Sequence, residues 1–367
     1  MDTRNNMPGL SRRTFLAASA AGLGAAGLAA SGIAAASASS GSGSHPATAL
    51  TDAVLAAFRT HRVVGLGEET PHQLQEHHDA LQTMLADPRL PGVVNDIVVE
   101  FGNALYQDTI DAFVLDGKPV ADADLRPIWR NTTQSPGETW DAPVYEVLFR
   151  RVRAVNWTLP PSKRIRVLLG DPPFDWSKVT SLSQIPPSSV RDPHAASVVQ
   201  QQVLAKGRRA LLCYGGPHLL HTNHPTPSIV SLIQQQTGDR TYTIVDLVPL
   251  QGDPGGLATK LAGHARGTVI PASGTWLGSV NAGYALPGKS GQTSPYCGVP
   301  LGGILDAGLY LGQPAELTES WPNPAIYLDP TYWAELQRRS AIKGSGDLAS
   351  YREEMPPGYP PIPAGAC

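Results

Sequence analysis

The chain has 367 residues, of which 41% are hydrophobic and 16% are charged, and its formal net charge at pH 7 is -3. This length allows a large buried core, and the charge excludes the strongly basic surface on which nucleic-acid binding depends. Its 3 cysteines are too few for the disulfide framework of small exported domains. We therefore expect a globular protein whose partner is a small-molecule ligand or substrate, with no nucleic-acid partner.

The first 38 residues have the composition of an export signal. Arg12 and Arg13 precede an apolar run rich in alanine and glycine, which ends in the A-x-A sequence Ala36-Ser37-Ala38. This order predicts a twin-arginine signal peptide at residues 1–38 that engages the twin-arginine translocase. A membrane anchor is the alternative, but small residues fill the run where leucine and isoleucine would be expected.

The signal predicts a protein that is secreted or held in the cell envelope or periplasm, with no stable membrane association after cleavage. Residues 39–48 are predicted to be a Ser/Gly-rich linker, and residues 49–367 a single domain. Proline and glycine are concentrated toward the C-terminal third, which predicts a loop-rich extension there. Cys297 and Cys367 could pair outside the cell, whereas Cys213 lies in an apolar run and is expected to be a buried thiol.

Short apolar runs alternate with segments of helical periodicity between residues 63 and 247. The predicted strands are 63–66, 97–99, 165–169, 210–213 and 242–247, and the predicted helices are 71–85, 106–113 and 226–236. This alternation predicts an α/β fold with a parallel or mostly parallel sheet covered by helices on both faces. Ligands of such sheets bind at the carboxyl ends of the strands.

Titratable side chains follow the first four predicted strands. They are Glu68, Glu69 and His72, then Glu100, then Asp171, then His218 with His221 and His224 just beyond. A single acid after a strand is usually a helix cap or an ion-pair partner. Four such strand ends at one edge of a sheet predict a cluster of carboxylates and imidazoles that shift one another's pKa and perform acid, base or metal-ligand chemistry.

Three short motifs at these positions resemble the erythromycin-esterase-like and haem-uptake (ChaN or Tiki-like) superfamily. They are Gly67-Glu68 followed by His72, Val99-Glu100-Phe101, and Gly215-Gly216-Pro217-His218. The resemblance covers residues 63–247 and leaves the C-terminal third unmatched.

The segment after the first strand contains one short pattern similar to each branch of that superfamily. The pair His77-His78 with Gln82 is similar to the haem-uptake branch. Thr70 followed closely by His72 is similar to the esterase branch, although Pro71 interrupts a motif that is contiguous there.

The resemblance implies hydrolysis of a small ester or amide. In this hypothesis His72 is the general base, Glu68 and Glu100 orient it, and His218 stabilises the developing oxyanion. In a metal-assisted variant these four residues would be ligands of a divalent ion. The sequence contains no H-E-x-x-H or C-x-x-C pattern that would favour zinc.

A nucleophilic serine is not expected, because the sequence has no G-x-S-x-G elbow. Ser273 and Ser279 lie in glycine-rich loops and are interpreted as turn residues.

Five further residues are candidates for contact with a substrate: Glu69, Asp171, Phe174, Trp176 and His221. Phe174 and Trp176 lie in the loop after the third predicted strand. Such aromatic residues commonly pack a loop onto the sheet, and contact with an apolar ligand is the alternative.

The non-hydrolytic alternatives are a haem- or iron-binding protein and a catalytically inactive member of the same fold. Haem binding is suggested by the supply of histidines, since imidazole is a common axial ligand. Helical periodicity predicts that His78 faces the core and that His77 is solvated. His221 and His224 are expected at the surface of a proline-flanked loop.

Overall fold

The computed structural model describes residues 48–69, 72–223, 226–286, 293–356, 358 and 367. The predicted signal peptide, nearly all of the predicted linker, Thr70, Pro71 and His224 lie outside these residues. Within the described part of the chain, no helix has both the length and the apolar composition needed to cross a membrane.

One sheet of eight strands organises the described residues. In chain order the strands are β1 (Thr48–Ala49), β2 (Val63–Glu68), β3 (Asp96–Asn103), β4 (Arg166–Asp171), β5 (Ala210–Gly215), β6 (Tyr242–Leu247), β7 (Thr268–Pro271) and β8 (Ala307–Tyr310). Their order across the sheet is β1-β7-β8-β6-β2-β5-β3-β4. All neighbours from β8 to β4 pair in parallel, and β7 is antiparallel to both β1 and β8. The mostly parallel sheet confirms the predicted fold class.

Helices cover both faces of this sheet, as predicted. They are α1 (Leu50–Ala57), α2 (Gln75–Leu85), α3 (Gln107–Val114), α4 (Asp122–Leu125), α5 (Pro127–Arg130), α6 (Pro143–Trp157), α7 (Arg191–Val198), α8 (Ile229–Thr237), α9 (Leu257–Leu261) and α10 (Pro330–Lys343). Side chains alternate between the two faces of a strand. Val64 and Leu66 of β2 accordingly pack in the cluster that includes α1, α2 and α6, whereas Val63 packs with α7 and α8.

All five predicted strands are present, but the prediction that the first helix begins at residue 71 was wrong. The helix begins at Gln75 because His72 and Gln73 adopt left-handed φ angles of 82° and 64°, which no helix accommodates. The side chain of Glu68 then accepts a hydrogen bond from the backbone N–H of Leu74 at 3.0 Å, which satisfies a donor at the helix start.

The C-terminal third adds more than the predicted loops. Between long connections it contributes β7, β8, α9 and α10. Cys297 forms a disulfide with Cys367, and Cys213 is a buried free thiol on β5. The antiparallel β7 was not foreseen, because its four residues are too few to produce a clear apolar period.

Candidate functional site

Three adjacent strands bring the two central glutamates to the carboxyl edge of the sheet. β5 lies between β2 and β3, and Glu68 at the end of β2 is in register with Gly215 at the end of β5. Glu100 on β3 accepts a hydrogen bond from the backbone N–H of the same Gly215 at 2.8 Å. The chain then turns through a 3₁₀ segment, Gly216–Leu219, which carries His218. The predicted convergence of Glu68, His72, Glu100 and His218 is therefore present in the structure.

Glu68 is buried and is surrounded by hydrogen-bond donors. One carboxylate oxygen lies 3.1 Å from Nε2 of His78 and also accepts from Leu74, and the other lies 3.3 Å from Nδ1 of His72 and accepts from Tyr145 at 3.1 Å. Burial alone would raise the pKa of Glu68, but His78 and His72 outweigh burial and hold that pKa well below its usual range. Glu68 is therefore a buried anion that orients two imidazoles.

His72 lies at the partly open side of this cluster. Its side chain keeps 22% of its surface exposed, and its Nδ1 faces Glu68. A Cβ on Gly215 would come within 2.7 Å of Cε1 of His72 and 3.4 Å of Glu100, so only glycine leaves room for the ring. Burial lowers the pKa of His72, but Glu68 and then Glu100 outweigh that effect and raise the pKa above its ordinary value.

Glu100 is the anionic centre of the second half of the cluster. Its Oε1 is bound by a guanidinium nitrogen of Arg191 and lies 3.5 Å from Nε2 of His218. Burial raises the pKa of Glu100, but His218 and Arg191 outweigh burial and hold that pKa well below its usual range. Gln134 also contacts this pair. In the amide orientation that satisfies the hydrogen bonds of its side chain, the oxygen of Gln134 accepts from Nη2 of Arg191 at 2.6 Å.

His218 is held between two carboxylates. Its Nδ1 lies 2.6 Å from Asp192, and its Nε2 faces Glu100. Burial lowers the pKa of His218, but Glu100 and Asp192 outweigh it and raise the pKa to about 10. At neutral pH this imidazole is a cation with both nitrogens protonated.

The prediction that His77 is solvated was wrong. His77 is buried, and its Nδ1 lies 2.9 Å from Asp246 of β6, which raises its pKa against the opposing effect of burial. The buried face of α2 is wider than its apolar stripe, because its N-terminal turn lies over the carboxyl ends of the strands, where polar partners are available. The prediction for His78 is confirmed, since it is buried and its partner is Glu68.

Asp171 borders the cluster at the end of β4. Its carboxylate accepts from the backbone N–H and the hydroxyl of Thr133 at 2.7 and 2.6 Å and lies 3.7 Å from Arg191. Burial raises the pKa of Asp171 to about 6, although Thr133 and Arg191 act in the opposite direction. Glu69 is also buried beside the cluster, and its backbone N–H faces Asp246 at 3.4 Å.

The aromatic candidates pack the loop after β4 onto the protein, as the packing interpretation predicts. Trp176 is 1% exposed and donates from Nε1 to the carbonyl of Thr132 at 2.9 Å. Phe174 packs against Trp176 in a small cluster that also includes Val179 and Ile185. Trp176 is therefore enclosed by protein on all sides and has no surface left for a ligand.

The structure does not bring His221 to the cluster. Its Nε2 lies 2.9 Å from Asp306, the residue before β8, and Asp306 also accepts from the backbone of Thr243 near the start of β6. These are the amino ends of parallel strands, so His221 lies at the opposite edge of the sheet. The expectation of a solvent-exposed loop also fails for His221, because only 13% of its side chain is exposed.

The space enclosed by the cluster is small. A cavity of ≈ 10 Å³, lined by residues that include Glu68, His78, Glu100 and Tyr214, is large enough for one water molecule. Among the described residues, no three His, Cys, Asp or Glu side chains converge in a way that would hold a metal ion.

The imidazoles of the cluster differ in whether they could offer a nitrogen to a haem iron or another metal. A metal ligand must offer an unprotonated nitrogen. Both nitrogens of His218 face carboxylates, Nδ1 of His77 faces Asp246, and Nε2 of His78 faces Glu68. Among the described residues of the cluster, His218 therefore offers no free nitrogen to a metal, whereas His72, His77 and His78 each keep one ring nitrogen away from the carboxylates, as histidine ligands of metals do.

Four partners of the cluster were not predicted from the sequence: Tyr145, Arg191, Asp192 and Asp246. Tyr145 and the pair Arg191-Asp192 lie on α6 and α7, whose helical periods were not recognised. Asp246 was detectable, because it is an acid inside an apolar strand and such an acid needs a buried partner.

The fold and the site together define an α/β protein with a Glu/His cluster at the carboxyl edge of a mostly parallel sheet. No family model and no curated protein matches the sequence. Among solved structures, the chain is similar to a succinoglycan biosynthesis protein at a TM-score of 0.50 and 8% identity, over 74% of this chain and 92% of that chain. A likeness at this identity shows the fold alone.

Both branches predicted from the sequence are also among the matching structures. A mutant of the erythromycin esterase EreC in its open conformation matches with a TM-score of 0.45 and 12% identity, over 71% of this chain and 93% of that chain. ChaN of Campylobacter jejuni, solved with cofacial haem, matches with a TM-score of 0.34 and 12% identity, over 53% of this chain and 84% of that chain.

Proposed function

We propose that this protein is a hydrolase of a small ester or amide that activates water with His72 and needs no metal ion. The observation that carries the proposal is the position of His72, whose Nδ1 faces the buried anion Glu68 while its ring remains partly exposed. A carboxylate in that position fixes the tautomer that carries a proton on Nδ1, so Nε2 keeps the lone pair of a general base.

In the proposed reaction, Nε2 of His72 takes a proton from water as the water oxygen bonds to the carbonyl carbon. The bond from that carbon to the leaving oxygen or nitrogen then breaks, and the leaving group receives the proton from His72. One water is consumed, and an acid and an alcohol or amine are released.

His218 supplies positive charge for the oxyanion in this proposal. Glu100 and Asp192 keep it protonated, and its separation of 3.5 Å from Glu100 is longer than a normal hydrogen bond. The N–H of Nε2 is therefore weakly held by Glu100, which supports a role in donating to a substrate oxygen. Arg191 also binds Glu100, so that carboxylate is shared between two cations.

The test is a panel of esters, lactones and amides assayed with the wild-type protein and the variants His72→Gln, Glu100→Gln and His218→Gln. We expect each substitution to reduce kcat/KM by at least about a hundredfold, the scale of a lost general base or oxyanion donor. His264→Gln, in the turn after α9 and outside the cluster, is the matched control and should retain wild-type turnover. Equal turnover by His72→Gln and wild type would refute the assignment, and absence of turnover across the panel would favour the inactive member of the fold.

The haem- or iron-binding alternative has less support from this site, because carboxylates face both nitrogens of His218 and the free nitrogens of His77 and His78 are buried. Elemental analysis and a visible spectrum after incubation with haem distinguish the two proposals. A Soret band abolished by His72→Gln or His218→Gln would favour haem binding, and a stoichiometric divalent metal would favour the metal-assisted variant.

We also propose that the protein is exported by the twin-arginine pathway and is secreted or periplasmic. The support is the sequence alone: Arg12 and Arg13, the Ala/Gly-rich run and the A-x-A site. Replacing both arginines by lysine should leave the full-length precursor inside the cell. If the doubly substituted protein is processed and exported as the wild type is, the pathway is wrong.

A further inference from the structure

A second cavity adjoins the cluster on the side of Arg191. It has a volume of ≈ 430 Å³, within the range of about 300–1,000 Å³ that small-molecule sites occupy. Its lining includes Thr133, Gln134 and Arg191. Thr133 also binds Asp171, Gln134 accepts from Arg191, and Arg191 binds Glu100. The same side chains therefore form the wall of the cavity and the support of the candidate site.

The rest of the lining is apolar on one side and cationic on the other. Leu182, Ile185, Pro186 and Pro187 form the apolar part. Leu182 is 59% exposed and gives the cavity an open apolar rim. Ile185 rests on the cluster of Phe174 and Trp176, so these aromatic residues support the apolar wall without lining it.

Lys343 and Arg191 supply the charge. Nζ of Lys343 donates to the carbonyls of Thr133 and Gln134 at 3.1 and 3.0 Å, which leaves one of its three N–H groups available. Arg191 binds Glu100 and Gln134 through Nη2, and within the described part of the chain no hydrogen-bond partner is found for its Nη1. The lining of this cavity contains no carboxylate.

We propose that this cavity binds the carboxylate end of the substrate, so that the enzyme acts on esters or amides that carry a free carboxylate on a short aliphatic chain. The proposal rests on the proposed hydrolase function, which it deepens. One carboxylate matches the two available donors, and the aliphatic chain matches the apolar wall. A phosphate dianion fits less well, because the apolar wall would leave part of its charge without a donor.

The binding test uses hexanoate and hexanol, a pair that differ in charge and cannot be hydrolysed. Calorimetric titration of the wild type should show hexanoate binding at least about tenfold more tightly than hexanol, the margin expected of a charge-assisted contact. Lys343→Gln should remove that preference, and Lys343→Arg should retain most of it because it keeps the charge. Lys163→Gln, an exposed lysine in the 3₁₀ turn Pro161–Lys163, is the control for loss of one positive charge.

A second variant distinguishes a loss of binding in the cavity from a loss of folding. Leu182→Ser changes an exposed side chain, so it should fold normally and weaken both ligands. Unchanged hexanoate binding in Lys343→Gln, or equal binding of hexanoate and hexanol to the wild type, would overturn the proposal. Binding of inorganic phosphate as tight as that of hexanoate, and equally dependent on Lys343, would overturn the assignment to carboxylates.

Turnover provides an independent readout. The ratio of kcat/KM for monoethyl adipate to that for diethyl adipate should fall at least about tenfold in Lys343→Gln. If no ester is hydrolysed but hexanoate binding depends on Lys343, the hydrolase proposal fails and the carboxylate site stands. If esters are hydrolysed with no preference for charge, the carboxylate site fails and the hydrolase proposal stands.

Discussion

Asp192 lies 2.6 Å from Nδ1 of His218 and, together with Glu100, raises the pKa of this imidazole to about 10. Asp192 and Arg191 are neighbours at the first turn of α7, and they bind His218 and Glu100, respectively. One helical turn thus supplies a charged partner to each of these two residues.

The first prediction concerns the titration of His218. Asp192→Asn should lower the pKa of His218 from about 10, because one of the two carboxylates that stabilise the cation becomes neutral. Histidine-labelled NMR titration measures this pKa directly. Asp124→Asn, an exposed acid on α4, is the control and should leave the His218 resonance unchanged.

The same substitution predicts a change in stability with a defined sign. The folded-state pKa of His218 is raised, so its ion pair contributes stability that is complete below the ordinary pKa of 6.5 and is lost as pH rises through about 10. The difference in unfolding free energy between wild type and Asp192→Asn should therefore be largest just below pH 6.5 and vanish above about pH 10. A difference that persists undiminished at high pH would mean that Asp192 acts by packing and not by charge.

The second prediction concerns the acid limb of the pH profile. Because the deprotonated form of His72 is the proposed base, kcat/KM should rise with pH through its raised pKa. Glu68→Gln removes the main cause of that increase, so the acid limb should move to lower pH while the plateau falls. Tyr145→Phe deletes one hydrogen bond to Glu68 but keeps its charge, and it should leave the acid limb in place. An acid limb that does not move in Glu68→Gln would remove His72 from the role of base.

The strand ends were predictable from the sequence because their chemistry is local. Glu68, Glu100 and Asp171 each follow a short apolar run, and parallel strands carry such residues to one edge of the sheet. Register then decides which residues meet, and Glu68 opposite Gly215 depends on the crossover connections between strands. Sequence periodicity within one strand contains no information about that pairing.

The partners on helices were not predictable in the same way. Arg191, Asp192 and Tyr145 reach the cluster through the packing of α7 and α6, and any exposed Arg-Asp pair looks the same in a sequence. His77 shows the limit most clearly. Its position on the helix indicated that the side chain faces solvent. Only the buried Asp246, on a strand 169 residues away in the sequence, explains why His77 is buried.

The third prediction concerns the C-terminal helix α10. Arg339 is 3% exposed and donates to the carbonyl of Arg130, to Ser135 and to Asn131 at 2.7–2.9 Å. It therefore fixes the loop that carries Thr133 and Gln134 into the site. Arg339→Met should lower the free energy of unfolding by about 3 kcal/mol, because buried acceptors lose their donor.

Urea denaturation measures this loss, and hydrogen exchange should show faster exchange at residues 131–135 in particular. Arg151→Met, an exposed arginine of α6 that binds Gln82, should change the stability by less than about 0.5 kcal/mol. Wild-type exchange rates at residues 131–135 in Arg339→Met would show that α10 does not hold this loop.

The last prediction tests whether catalysis requires the space that Gly215 leaves for the ring of His72. A methyl group at Gly215 would meet Cε1 of His72 at 2.7 Å and a carboxylate oxygen of Glu100 at 3.4 Å, so the imidazole must move. His72 is the only one of the two groups that is partly exposed, and it can turn away at little cost to the core. Gly215→Ala should therefore reduce kcat/KM at least about tenfold while destabilising the fold by no more than about 1–3 kcal/mol, the usual cost of an added methyl group. Gly263→Ala is the matched control, because a Cβ there meets no atom within 4 Å. If Gly215→Ala keeps full turnover, the ring position seen here is not the one that activates water, since catalysis would then tolerate its displacement.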